Sequence, residues 1–129
     1  MKSGDWEKLR ALPQVVPDSD FGWTCDYVAE TDCFSYLCSA VTPAGTLVPE
    51  GFQFRDAPET LAAVGKWGDE IEDIVERLKG MGFEAAWGAA GCGWNAELYL
   101  KTELENPPPN GNKAGCRLVV PCKRIEARR

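Results

Sequence analysis

The sequence has 129 residues and no histidine, which excludes several kinds of chemistry at once. Imidazole is the usual base of a nucleophilic triad and a common metal ligand. Any acid or base must therefore be Asp, Glu, Lys, Tyr or Cys. The glycines of GAAGCG at 88–93 match neither a GxGxxG motif nor a phosphate loop followed by Lys-Ser/Thr, so this segment is predicted to be a turn.

Long apolar runs are also missing, and none approaches the roughly 20 residues that span a bilayer. The first ten residues, MKSGDWEKLR, lack the apolar core of a secretion signal, so we expect a cytoplasmic protein without a membrane partner. Fourteen basic and twenty acidic residues give a net charge of −6. This balance argues against direct binding of nucleic acid. The basic residues of the tail are expected to be solvated.

Six cysteines are present, and none forms a Cys-x-x-Cys pair. A structural zinc site usually has such paired ligands, so neither a metal nor another cofactor is expected. In a reducing compartment the cysteines are predicted to be buried, unreactive thiols, with one oxidised pair as the alternative. They are Cys25, Cys33, Cys38, Cys92, Cys116 and Cys122.

The composition is that of a globular protein, and residues 1–129 contain neither a repeat nor a linker, so one α+β domain is expected. Residues 5–12 have a short helical pattern. Residues 22–41 alternate like two strands of a hairpin, and TPAG at 42–45 is typical of a turn.

The second half of the chain contains the clearest helical pattern, at 69–80, with its apolar residues at helical spacing and Gly80 or Gly82 at its end. The remaining elements are predicted as two hairpin strands at 83–87 and 94–101, a loop at 105–115, and a last strand at 116–123.

Five short motifs follow one another in a characteristic order. They are the aromatic strand Phe34–Ala40, the step Val48-Pro49-Glu50-Gly51-Phe52, the segment from Ala63-Val64 to Gly68, the strand Glu97-Leu98-Tyr99, and Val120-Pro121. In this order and spacing, over about residues 20–123, the sequence resembles the GyrI-like small-molecule-binding domain. That domain is also the effector-binding part of many AraC-type and multidrug-responsive regulators. Because no helix-turn-helix pattern is present, the chain resembles the stand-alone form.

The resemblance implies two strand-helix-strand-strand modules side by side, with an antiparallel sheet and a central ligand cleft. The second module is complete over residues 60–101, whereas the first is trimmed at its N-terminal end.

The resemblance also decides an ambiguous segment. Asp56 and Pro58 favour a helix over 57–64 by local rules, but the family pattern makes this segment a strand, and we adopt the strand.

Alternation along strand 94–101 divides its side chains between two faces. The apolar face, with Trp94, Ala96, Leu98 and Leu100, is expected to pack on the helix. The other face carries Asn95, Glu97, Tyr99 and Lys101. This second face is either the exposed polar side of an antiparallel sheet or, as the resemblance implies for Glu97, the wall of the ligand pocket.

The expected function is binding of a hydrophobic, cationic small molecule, because a cation would neutralise a buried carboxylate while its rings pack on aromatic side chains. The candidate ligand-binding residues are Glu97, Tyr99, Tyr36, Phe34, Trp67 and Trp23. Two alternatives remain open. One is a hydrolase of strained-ring electrophiles that uses Glu97 and Tyr99. The other is a protein-binding inhibitor, for example of a DNA topoisomerase.

Overall fold

The computed structural model describes residues 5–28, 30–57, 60–86 and 94–125. It confirms the α+β class: the described residues form six antiparallel strands in one open sheet and three short helices. In chain order the elements are α1 (Asp5–Arg10), β1 (Ser19–Val28), β2 (Cys33–Ser39), β3 (Leu61–Val64), α2 (Ile71–Gly80), β4 (Phe83–Ala85), β5 (Asn95–Leu100), α3 (Lys101–Glu105) and β6 (Arg117–Arg124).

Strand β6 has partners along both of its edges, and the sheet order is β2-β1-β5-β6-β3, with β4 also pairing with β6. Cys122 is in register with β3 on one edge and with β4 on the other. Val119 is likewise in register with both β3 and β5. Strands β4 and β5 therefore lie end to end along the same edge of β6 and run in the same direction.

The predicted hairpin of 83–87 with 94–101 is wrong, because two strands that run in the same direction cannot form one. Alternation identifies a strand but not its partner. Here the partner is β6, which is distant in sequence and therefore invisible to local rules. The predicted turn at 88–93 lies outside the described residues.

Helix α2 confirms the clearest sequence prediction. Its start has a capping box in which the Glu70 backbone N–H donates to Asp73 at 2.9 Å. Its end lies at the predicted glycines, where the N–H of Gly82 donates to the carbonyl of Lys79 and Gly82 has a φ of 84°. Only glycine adopts this left-handed conformation without strain.

The N-terminal half also matches its prediction. Helix α1 is followed by the antiparallel β1–β2 hairpin, and the turn at 42–45 closes with the Thr46 N–H on the Pro43 carbonyl. Among the described residues, strand-helix-strand-strand order occurs at β3-α2-β4-β5, and helix-strand-strand order occurs at α1-β1-β2. Segment 61–64 is a strand paired with β6, which confirms the prediction of a strand in place of a helix. Helix α3 was not predicted.

Apolar side chains form a cluster on each face of the sheet. One cluster contains Phe21, Cys25, Trp94, Ala96, Leu98 and Val119. The other contains Ile74, Leu78, Cys116, Leu118, Val120 and Cys122, with Tyr99 packed against it. Because Ile74 and Leu78 belong to α2, the helix covers the second face.

This arrangement contradicts the expected orientation of β5. The face that carries Glu97 and Tyr99 is the one on which α2 packs, whereas Trp94, Ala96 and Leu98 belong to the opposite cluster. The physical reason is that α2 packs mainly against β4 and β6. An apolar face of β5 therefore needs no helix, because segments around Val16 and Val41 cover it instead.

The five described cysteines carry free thiols. Cys25, Cys116 and Cys122 are buried, as predicted, but Cys33 and Cys38 are exposed, which contradicts the prediction for those two. Both lie on β2, the last strand on its side of the sheet. Cys92 lies outside the described residues. Within the described ranges, every helix is too short or too polar to cross a membrane.

We expect Ile74→Ala to lower the free energy of unfolding by about 2–5 kcal/mol. Ile74 is 2% exposed and packs directly over Gly65, where an added Cβ would lie 2.7 Å from Cδ1 of Ile74. Ile125→Ala is the matched control, because Ile125 is 47% exposed and should change the stability by about 0.5 kcal/mol or less. Urea unfolding measures the free energy of unfolding of both variants. Equal losses of stability in the two variants would contradict the placement of Ile74 in the core.

Candidate functional site

Glu97 lies in the middle of β5, in register with Gly22 of β1 and Leu118 of β6. Its side chain is partly buried and lies on the face that α2 covers. Gly22 has no side chain, so the space above β1 stays free. Tyr36 of β2 reaches diagonally across this space to Glu97.

Four polar side chains meet here, and we call them the Glu97 cluster: Tyr36, Glu97, Tyr99 and Cys116. The Tyr36 hydroxyl donates a hydrogen bond to Oε1 of Glu97 at 2.6 Å. The Cys116 thiol donates weakly to Oε2 at 3.8 Å. The Tyr99 hydroxyl interacts with both the Tyr36 hydroxyl and the Cys116 thiol. Both oxygens of Glu97 therefore have a neutral donor.

The electrostatics of the cluster keep its other three members protonated at neutral pH. Burial, and then the hydrogen bond to Glu97, raise the pKa of Tyr36 to about 12. Burial and the nearby Glu97 raise the pKa of the Cys116 thiol to about 11. Burial also raises the pKa of Tyr99, with Cys116 and Glu97 as further causes. The three neighbours of Glu97 are thus neutral groups at neutral pH.

No Lys or Arg in the described ranges forms an ion pair with Glu97. Three other partly buried carboxylates have an arginine partner: Asp20 with Arg10, Asp69 with Arg77, and Glu103 with Arg117. A carboxylate removed from water without an opposite charge is unfavourable.

Of the six predicted site residues, the structure brings together Glu97, Tyr36 and Tyr99. Phe34 lies on the same face of β2 as Tyr36, two residues away, and is 58% exposed. Tyr36 itself is 47% exposed. The part of the face formed by β1 and β2 is thus an open aromatic shelf, and α2 packs against the other part. Tyr36 reaches the carboxylate from this shelf, whereas Phe34 lies further along β2, away from Glu97.

The two tryptophans lie elsewhere. Trp23 is on the opposite face, where its ring stacks on Trp94 with centroids 4.2 Å apart. Trp67 is in the loop before α2, and its indole N–H donates to the carbonyl of Pro108 at 3.0 Å. Both tryptophans therefore hold the fold together at a distance from the Glu97 cluster.

Sequence reasoning missed two members of this region, Gly22 and Cys116. An isolated glycine inside an aromatic strand signals a close approach by another group, so Gly22 was open to detection. Cys116 carried no such signal, because nothing in its sequence neighbourhood indicates that it faces Glu97.

Two other features do not add to the site. A shallow surface depression lies beside α2, lined by Asp69, Asp73, Glu76, Arg77 and Gly80. Its lining is strongly charged and includes no member of the Glu97 cluster. The described part of the chain also contains no group of three or more His, Cys, Asp or Glu side chains that could hold a metal ion.

Above pH 9 we expect the protein to become less stable as the pH rises. The native pKa values of Cys116 and Tyr36, about 11 and about 12, exceed their ordinary values of 9.0 and 10.0. Between pH 9 and 12 the native state therefore binds more protons than the unfolded state, and the free energy of unfolding falls. Below pH 9 this contribution is fully present.

The urea midpoint at pH 8 and pH 10.5 measures this dependence. Tyr36→Phe and Cys116→Ser each remove one of the two titrations, so each variant should lose less stability over this interval than the wild type does. A midpoint that stays constant in the wild type would contradict the burial of these groups.

Comparison with known proteins gives this chain no relative: no family model, no curated protein and no solved structure matches it.

Proposed function

We propose that this protein is a binding domain for hydrophobic, cationic small molecules, with a role in binding or sequestering drugs or toxins. The observation that carries the proposal is the state of Glu97. Its carboxylate is partly buried, receives hydrogen bonds from neutral groups alone, and has no basic partner among the described residues.

A cation at Glu97 gains more than it would at an exposed carboxylate. At a distance of 4 Å the attraction between unit charges is about 4 kcal/mol at an effective dielectric constant of 20, against about 1 kcal/mol in water. The cation loses part of its hydration in return. Lipophilic cations lose the least hydration free energy, because their charge is already spread or shielded. The site therefore favours them.

Aromatic side chains supply the second half of the interaction. The ring of Tyr36 is about half exposed at the carboxylate, and the ring of Phe34 is about half exposed further along β2. A cation over such a ring gains roughly 0.5–2 kcal/mol, and each buried Å² of apolar ligand surface adds about 25 cal/mol. The net charge of −6 also attracts cations to the protein in general. The resemblance to GyrI-like domains supports the same ligand class.

Glu97→Gln is expected to weaken binding of tetraphenylphosphonium by about tenfold or more, because it removes the charge and preserves the shape of the side chain. The neutral triphenylphosphine oxide should bind wild type and variant equally. Titration calorimetry measures the affinities directly.

Glu84→Gln is the matched control, because Glu84 lies on the neighbouring β4 and pairs with Lys123. It removes the same charge at an exposed position and should leave binding of the phosphonium unchanged. Equal affinity in Glu97→Gln and wild type would contradict the role of Glu97. An equal loss in both variants would indicate a general effect of net charge.

The hydrolase alternative depends on the same carboxylate and requires a different readout. Mass spectrometry of ligands after incubation separates the two functions. Recovery of every ligand intact, including strained-ring electrophiles, supports binding. A product that has gained one water, formed by the wild type and lost in Glu97→Gln, would establish hydrolysis.

A further inference from the structure

The hydrogen bond between Tyr36 and Glu97 depends on the absence of a side chain at position 22. A Cβ added to Gly22 would lie 2.6 Å from Cζ of Tyr36 and would also overlap the hydroxyl. Gly22 therefore lets the ring lie across β1. We call Gly22 a positioning residue, because it acts through Tyr36.

The two oxygens of Glu97 have different surroundings. Oε2 faces the thiol of Cys116, which is 2% exposed, whereas Oε1 accepts the hydroxyl of the half-exposed Tyr36. A ligand that arrives from solvent over β1 and β2 thus meets the Tyr36 hydroxyl before it meets the carboxylate.

Two kinds of cation respond differently to this arrangement. A primary ammonium group binds a carboxylate through N–H donors at about 2.7–2.9 Å. Because the Tyr36 hydroxyl already takes one of the two lone pairs of Oε1, the ammonium finds fewer acceptor sites here than at a free carboxylate. A quaternary ammonium or phosphonium group has no N–H donor. It interacts through its charge and through contact with the ring, and neither interaction disturbs the hydrogen bond.

We infer that Gly22 and Tyr36 make the site selective for cations without an N–H donor over primary ammonium ions. This inference rests on the proposed function, since it specifies the class of cation that Glu97 accepts. The Tyr36 hydroxyl takes one acceptor site of the accessible oxygen, and Gly22 provides the space that the hydroxyl needs.

The test compares two ligands with the same apolar body, 4-phenylbenzyltrimethylammonium and 4-phenylbenzylammonium, by calorimetry at pH 7. Primary ammonium is more strongly hydrated, which already disfavours it at any apolar site. The informative quantity is therefore the change in the ratio of the two affinities between protein variants.

Tyr36→Phe removes the hydroxyl and keeps the ring. We expect the ratio to shift about tenfold towards the primary ammonium ligand, which corresponds to one hydrogen bond with a charged group. Gly22→Ala should shift the ratio in the same direction, because its methyl group moves the hydroxyl away from Glu97. The double variant should shift it no further than Tyr36→Phe alone, because both changes remove the same interaction.

Gly22→Ala should remain folded, because its methyl group meets the far end of a half-exposed side chain that can swing outward. Tyrosinate absorbance gives a readout without ligand. Burial and Glu97 raise the pKa of Tyr36 to about 12, so Gly22→Ala should lower this pKa. The matched control is Gly80→Ala, where an added Cβ meets nothing within 4 Å and both readouts should stay as in the wild type.

The possible failures are distinguishable. If both ligands bind and Tyr36→Phe leaves their ratio unchanged, the selectivity is wrong and the proposed function stands. If Gly22→Ala adds its own shift to that of Tyr36→Phe, Gly22 does not act through Tyr36. If neither ligand binds the wild type, the proposed function fails and the inference fails with it.

Discussion

The pairing of β6 with strands on both of its edges is the constraint on which the rest of the structure depends. Val120 and Pro121 are fully buried in the middle of this strand. Pairing with β3 and β4 brings both ends of α2 back to the same strand, so the helix packs on one face of it. Pairing with β5 then places Glu97 beside Leu118, at the border between the part of the sheet where α2 packs and the shelf of β1 and β2.

That border position explains the chemistry of the Glu97 cluster. On one side Cys116 and Tyr99 belong to the packing beneath α2, and on the other Tyr36 lies on the open shelf. A carboxylate in this place is removed from water far enough to need donors, yet it stays within reach of a ligand. Both described donors to this carboxylate are neutral, and the proposed binding of a cation rests on that property.

Much of the fold follows from patterns that local physics explains. The apolar spacing of α2, its capping residues and Gly82 are all short-range features, and so is the alternation that identifies β1 and β2. The partners of a strand are not short-range. The sequence of 83–101 is compatible with a hairpin, and the competing pairing with β6 depends on residues some twenty to forty positions away.

The candidate site was predictable to a similar extent. The resemblance singled out Glu97, but the side of β5 on which Glu97 lies follows from where α2 packs, and alternation alone cannot decide that. The closeness of Tyr36 to Glu97 also depends on register across three strands. Trp23 and Trp67 were chosen for their residue type, and a tryptophan serves packing as readily as binding.

Pro121 explains why the edge of β6 that faces β4 and β5 is shared by two strands. Its carbonyl accepts the N–H of Ala86, just after β4 ends. In an extended strand the amide nitrogen of a residue faces the same edge as its carbonyl, and proline has no hydrogen there to donate. If a single uninterrupted strand paired with this edge of β6, the carbonyl of that strand opposite Pro121 would have no N–H donor. The imino acid thus lies where the two ladders separate, and the register of β5 is set by its pairing with β1 and β6.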